Sequence, residues 1–190
     1  LNQSYQPFPE LKHVVIDTSV RNSNITENVL NTVKNINSYK NIQIIEIEDY
    51  RDFLNKIQHN THEEFTKTTL LIYPEKGKYM HACPGSDGVV CCRYFVLDLG
   101  MNCPYDCHYC YLQTYAKYPI LTVAGNAAEL LADLEHRITS YPDIHWRIGT
   151  GEYADSLALE NLTGMGELLI TFFSRIKNAT LELKTKSIEI

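Results

Sequence analysis

Three cysteines within eight residues constrain this chain more than any other feature. Cys103, Cys107 and Cys110 are spaced C-x3-C-x2-C in the run CPYDCHYC. A loop that short must fold around whatever its thiolates share. Cys83, Cys91 and Cys92 bring the set to six cysteines within 28 residues, with none elsewhere. A disulfide-stapled secreted domain spreads its bridges over a small fold, whereas clustering in a longer chain reads as metal ligation in a reducing compartment. The opening residues LNQSYQPFPE lack a basic stretch followed by an apolar run, so no secretory signal is visible. Nowhere do ~18 apolar residues run together, so no membrane association is expected, and the cytoplasm is the expected location.

Three thiolates on one loop can hold three irons of a cubane 4Fe–4S cluster. The fourth iron then has no protein ligand, and an open metal position is where substrate chemistry happens. The competing reading is structural zinc, which wants four closed ligands. His108 points from the same tight loop and could not easily join its neighbours. Zinc would therefore draw its fourth ligand from Cys83, Cys91, Cys92 or another histidine, and the chain would be a zinc-stabilised, non-catalytic binding module.

With 44% hydrophobic and 21% charged residues, the chain can build a core. The pattern alternates strand and helix. HVVID (13–17) reads as a strand. Ile25, Val29, Val33 and Ile36 recur at helical spacing, with Thr26 and Glu27 suiting a helix start. NIQIIEIE (41–48) alternates as a strand, a short helix fits 50–58, and TTLLIYP (68–74) is a third strand ended by Pro74. Residues 75–92 contain Gly77, Pro84, Gly85 and Gly88 and read as a loop and boundary. CRYFVLDLG (92–100) is a strand, followed by the cysteine loop. Asn126 with Glu129 gives a cap signature for a helix with Leu130, Leu131, Leu134 and Ile138 on its apolar face. IHWRIG (144–149) is a strand with Trp146 in the core. A helix follows through Leu168, Leu169, Phe172, Phe173 and Ile176, then the strand TLELKTK (180–186). His13, His59, His62, His81, His136 and His145 show no ligand spacing and read as surface or loop residues.

The expected fold class is α/β: a small N-terminal α/β layer in residues 1–90, then a parallel sheet with right-handed crossovers in residues 91–190. Ligands in such sheets sit beyond the carboxyl ends of the strands. Cys103–Cys110 follow one strand and Gly149–Glu152 follow the next, so topology brings both to one rim. In Gly149-Thr150-Gly151-Glu152 the glycines let backbone approach a ligand, and the carboxylate can accept from an ammonium group. Lys184 and Lys186 alternate with Leu181 and Leu183. Turned inward, they could meet a cofactor carboxylate, and a solvated strand end is the alternative. Asp155 and Ser156 are candidate contacts to cofactor or substrate.

The cysteine loop, with aromatic Tyr109 before its last cysteine, resembles the signature of the radical S-adenosylmethionine superfamily. The run CHYCYLQT (107–114) is similar to the spore photoproduct lyase family, which splits a crosslinked thymine pair in DNA. The resemblance covers about residues 11–186 and is strongest at 103–114. It implies a partial barrel of (β/α)6 type. It also implies a 4Fe–4S cluster on Cys103, Cys107 and Cys110, with S-adenosylmethionine on the open iron and its amino group at Gly149–Glu152. One electron from a flavodoxin- or ferredoxin-like donor would release a 5′-deoxyadenosyl radical, which abstracts hydrogen from the substrate. Tyr109 and Tyr111 match tyrosines implicated in returning a hydrogen atom to the cofactor, and packing against the cluster is the alternative role for each. The resemblance also implies damaged DNA as a partner.

One departure stands out. The lyases place a hydrogen-donating cysteine just beyond the acidic segment, and here that stretch is Glu152-Tyr153-Ala154-Asp155-Ser156. The readings this leaves are a family member with another substrate, a thiol supplied by Cys83, Cys91 or Cys92, and a lesion binder that has lost catalysis. Cys91 and Cys92 read equally as small apolar residues at a strand start. With 17 basic against 23 acidic residues, net −6, the chain carries no overall basic footprint for nucleic acid. Eighty residues follow Cys110. About six strand–helix units of ~30 residues would need more, so the chain is expected to be the N-terminal part of a longer enzyme with a truncated barrel.

Overall fold

The computed structural model describes residues 10–36, 41–59, 64–83, 85, 87–90, 92–105 and 107–187. The expectations attached to Cys91 and His62 fall outside them. Strand β1 (His13–Asp17) leads through a 3₁₀ turn (Thr18–Val20) into α1 (Asn24–Asn35), followed by β2 (Gln43–Ile47), α2 (Tyr50–His59) and β3 (Thr69–Tyr73). Then come β4 (Met80–Ala82), β5 (Tyr94–Leu97), β6 (Gly100–Met101), α3 (Leu112–Tyr115), β7 (Leu121–Ala124) and α4 (Ala127–Thr139). The remaining elements are β8 (Trp146–Gly149), α5 (Glu160–Thr163), α6 (Met165–Phe173) and β9 (Ala179–Glu182).

The strands form two sheets, ordered β2-β1-β3-β7-β6 and β4-β5-β8-β9. Strands β1, β2, β3 and β7 run parallel, as do β5, β8 and β9, while β4 and β6 add antiparallel to their neighbours. The chain therefore passes between the sheets on both sides of residue 90. β4 lies before that position and joins the second sheet, whereas β6 and β7 lie after it and join the first.

At the centre of the first sheet β1 and β3 are covered on both faces, which is why they are near-continuous apolar runs, whereas edge strand β2 alternates and is partly exposed. Val14, Ile16, Leu70 and Ile72 face the main core with α1, and Val15 and Leu71 face Tyr50, Phe53, Leu54 and Ile57 of α2. The expected helix near 25–36 starts earlier than Thr26. Ser23 is its N-cap, its hydroxyl accepting from the Thr26 amide at 3.2 Å. Thr26 turns its own hydroxyl to the Val20 carbonyl. On the outer side of β8, Trp146 and Ile148 pack with Leu131, Leu134 and Ile138 of α4 and Leu169, Phe172 and Phe173 of α6 in the main core.

Three local expectations change. Asn126 precedes α4 without a side-chain cap bond; its amide instead bridges the Glu75 N–H and C=O at 2.8 and 3.0 Å, tying α4 to the end of β3. His13 is buried in β1, its Nδ1 paired with the Thr69 hydroxyl. His81 lies on β4 with Nε2 2.9 Å from Asp98 Oδ2. Among the described residues no helix is long and apolar enough to cross a membrane.

Candidate functional site

The carboxyl ends of β5, β8 and β9 bring three segments to one rim: the cysteine loop after β5 and β6, the Gly149–Glu152 turn after β8, and Leu183–Lys186 after β9. They enclose a cleft of about 540 Å³ whose lining includes Cys103, Cys107, Cys110, Tyr109, Tyr111 and Glu152, together with Asp155, Lys184 and Lys186. That size is ordinary for a small-molecule site.

Asn102 sets the entry to the cysteine loop. It adopts the left-handed conformation at φ 71°, which Asn tolerates better than most residues. Its buried side chain accepts from the Cys103 amide at 2.9 Å and donates to the carbonyls of Tyr118 and Ile120. Its backbone N–H donates to the Tyr153 carbonyl at 2.7 Å, joining this loop to the β8 turn. The loop closes on the Cys107 carbonyl, which accepts from the Cys110 amide and from Gln113 Nε2, both at 2.9 Å. Cys103 is 8% exposed, while Cys107 and Cys110 are half-buried, and no disulfide joins the described cysteines. Burial pushes the Cys103 thiol above its ordinary pKa, so the free thiol holds its proton, which a coordinating metal would displace.

The glycines of the turn answer steric demands. A side chain at Gly149 would collide with the Tyr94 ring. Gly151 has φ +87°, and a Cβ there would lie 2.8 Å from both the Lys184 carbonyl oxygen and Ser156 Oγ. Tyr111 joins the turn to the cysteine loop, its hydroxyl donating to the Glu152 carbonyl at 2.5 Å. Burial, with the Glu152 charge nearby, raises the Tyr111 pKa. Tyr109 is 80% exposed, and its ring lies 5.4 Å from the Lys186 ammonium. Lys184 Nζ is 3.6 Å from Glu152 Oε2 and 4.6 Å from the Tyr94 ring centroid. Burial works against charge on Lys184, but Tyr94 and Glu152 hold the ammonium above its ordinary value.

The structure thus gathers Cys103, Cys107, Cys110, Tyr109, Tyr111, Gly151, Glu152 and Lys186 around one cleft, whereas Gly149 ends β8 and Thr150 donates its hydroxyl to Ser156, neither lining the cleft. Asp155, which also lines the cleft, and Ser156 both bond to the Lys184–Lys186 segment. Sequence reading missed Asn102, whose only signal is an Asn directly before the first cysteine of the motif. It also missed the stack of Tyr115 on Tyr153, with centroids 5.5 Å apart, and the His81–Asp98 pair.

Among the described residues, no group of three or more His, Cys, Asp or Glu side chains stands where it could hold one metal ion. Zinc needs its ligands gathered tightly around a single centre, so the described residues offer the zinc reading no such group. A cubane makes a different demand, because each thiolate binds a different iron. Three thiols facing one cleft, one of them buried, fit that group by the chemistry of the donor set.

No family model and no curated protein matches the chain. Solved structures do. A cysteine-to-alanine variant of spore photoproduct lyase with dinucleoside spore photoproduct superposes at TM-score 0.72 and 19% identity, covering 93% of this chain and 49% of that one. Spore photoproduct lyase complexed with dinucleoside spore photoproduct gives TM-score 0.70 at 18% identity, covering 90% and 48%. A double variant with bound AdoMet and dinucleoside spore photoproduct gives 0.67 at 18%, again covering 90% and 48%. The chain spans about half the length of these structures and shares the fold of that half.

Proposed function

We propose that the chain belongs to the spore photoproduct lyase family and carries the cluster-binding portion of a radical S-adenosylmethionine enzyme. The observation behind this reading is the shared cleft, whose lining includes three cysteines, the Gly151–Glu152 turn and two lysines. The like-folded lyase structure with bound AdoMet supports it.

Cys103, Cys107 and Cys110 would each hold one iron of a 4Fe–4S cluster, leaving the fourth iron without a protein ligand. Such a cluster, when reduced by a ferredoxin- or flavodoxin-type donor, would supply the electron for reductive cleavage of S-adenosylmethionine. Glu152 and the carbonyls of its turn offer acceptors to the methionine ammonium, and Lys184 or Lys186 offers a cation to its carboxylate. Gly151 lets the backbone come close to the ligand. Tyr111, hydrogen-bonded to the turn, is placed to hold its orientation and to exchange a hydrogen atom at its hydroxyl. Tyr109 is the more open of the two tyrosines.

The substrate class this reading supports is the spore photoproduct, present as a dinucleoside in like-folded lyase structures. A second reading, a related enzyme acting on another substrate, is favoured by Glu152–Ser156, which has no cysteine to return a hydrogen atom. Anaerobic reconstitution with iron and sulfide, then dithionite and S-adenosylmethionine, should yield 5′-deoxyadenosine, and Cys107→Ala should abolish it. Repair of an oligonucleotide carrying the thymine crosslink would support the first substrate; cofactor cleavage without repair would support the second. No cleavage by the iron-loaded protein would overturn both.

A further inference from the structure

Four donors converge on the Asp155 carboxylate. Oδ1 accepts from the amides of Leu157 (3.0 Å) and Ala158 (2.9 Å) and from the Thr185 hydroxyl (2.7 Å), and Oδ2 accepts from the Lys186 amide (2.6 Å). The first two bonds are local and shape the turn. The other two reach across to the segment after β9. Ser156 repeats the pattern: its amide donates to the Lys184 carbonyl (3.0 Å), and its hydroxyl oxygen accepts from the Lys184 amide (2.9 Å) and from Thr150 Oγ1 (2.7 Å).

The pairing of β8 with β9 ends at Gly149 and Glu182, followed by one bond from the Thr150 amide to the Glu182 carbonyl. Beyond that point Asp155 and Ser156 take over from the ladder. Like Asp155 itself, the segment they hold lines the same cleft as the three cysteines. Lys186 extends from it over Tyr109, and Lys184 reaches Glu152. Bonds to a carboxylate are shorter and roughly twice as strong as those between neutral groups, so this clasp is stiffer than the strand ending it replaces.

Building on the reading in which the cleft takes S-adenosylmethionine, we infer that Asp155 is a positioning residue for that nucleotide. It fixes Lys184–Lys186 at a set distance from the Glu152 turn and the cysteine loop, and acts through this segment rather than through the reacting atoms. The test is Asp155→Asn in the cluster-loaded chain. Asn is isosteric, and its amide oxygen can keep the Oδ1 partners, but its NH₂ then meets the Lys186 N–H donor to donor. Thr185→Val removes the second crossing bond without touching the carboxylate.

In Asp155→Asn, amide exchange at Lys184–Lys186 should rise about tenfold, with β8 amides and iron content unchanged, as expected for losing one bond to a charged acceptor. The Kd for S-adenosylmethionine should rise by about the same factor while cleavage at saturating nucleotide is retained. Thr185→Val should shift both in the same direction by less. Unchanged exchange, or unchanged affinity with faster exchange, overturns the positioning role while leaving the proposed function intact. A wild-type chain that takes up iron and binds no S-adenosylmethionine overturns the function, and with it the role of Asp155.

Discussion

The β1–β3 region and the β5–β8–β9 region are both parallel and both packed against helices, yet they treat their second face in opposite ways. In the first, Val15 and Leu71 are covered by α2, so both faces are apolar and closed. In the second, the face turned from α4 and α6 carries the Arg147–Glu182 and Lys184–Glu152 pairs, all partly exposed. Packing on two sides makes a rigid scaffold, while a polar open face leaves the strand ends free to present ligands. Stability and chemistry should therefore separate along the chain.

The sharpest way to break that separation is a pair of substitutions. Ile72→Ala, at a side chain with no exposure, should cost about 2–5 kcal/mol in denaturant unfolding and leave the affinity of the folded protein for S-adenosylmethionine unchanged. Gly151→Ala should lower both binding and stability. Its strained φ and the crowding against Lys184 and Ser156 should weaken nucleotide binding at a stability cost on the order of 1–3 kcal/mol. If Ile72→Ala altered affinity in the folded protein, the two regions would be coupled rather than divided.

A smaller effect lies where the regions meet. Burial raises the Asp98 carboxyl pKa from 3.8 to about 6, outweighing the His81 bond that pulls it down. The folded state therefore holds this proton where the unfolded chain has released it. The stability it contributes is complete below the unfolded value and is lost as pH rises through about 6. Relative to Asp98→Asn, wild-type protein should lose stability between pH about 4 and 6 and run parallel above that range. A difference that grows in the wild type's favour as pH rises would reverse the sign.

The same contrast explains what could be read from residues alone. β1 and β3 were legible because a strand buried on both faces is a continuous apolar run. The cleft was legible because motif spacing and parallel topology together place two loops at one rim. β7 was not. Leu121–Ala124 is only four residues long and is defined by pairing with β3, some fifty positions earlier. β4 is shorter still and exists through its register with β5. Asp155 was legible as a candidate contact, and it lines the cleft, but only the fold shows its bond to the backbone of Lys186, thirty-one positions later.

The claim on which the rest depends is that Cys103, Cys107 and Cys110 hold a cluster with one iron open to S-adenosylmethionine. Electron paramagnetic resonance of the anaerobically reconstituted, dithionite-reduced protein, titrated with S-adenosylmethionine, tests it directly. The account predicts about four irons per chain and a reduced 4Fe–4S signal that changes shape as the nucleotide is added. A protein that takes up no iron, or a signal the nucleotide leaves untouched, would contradict it.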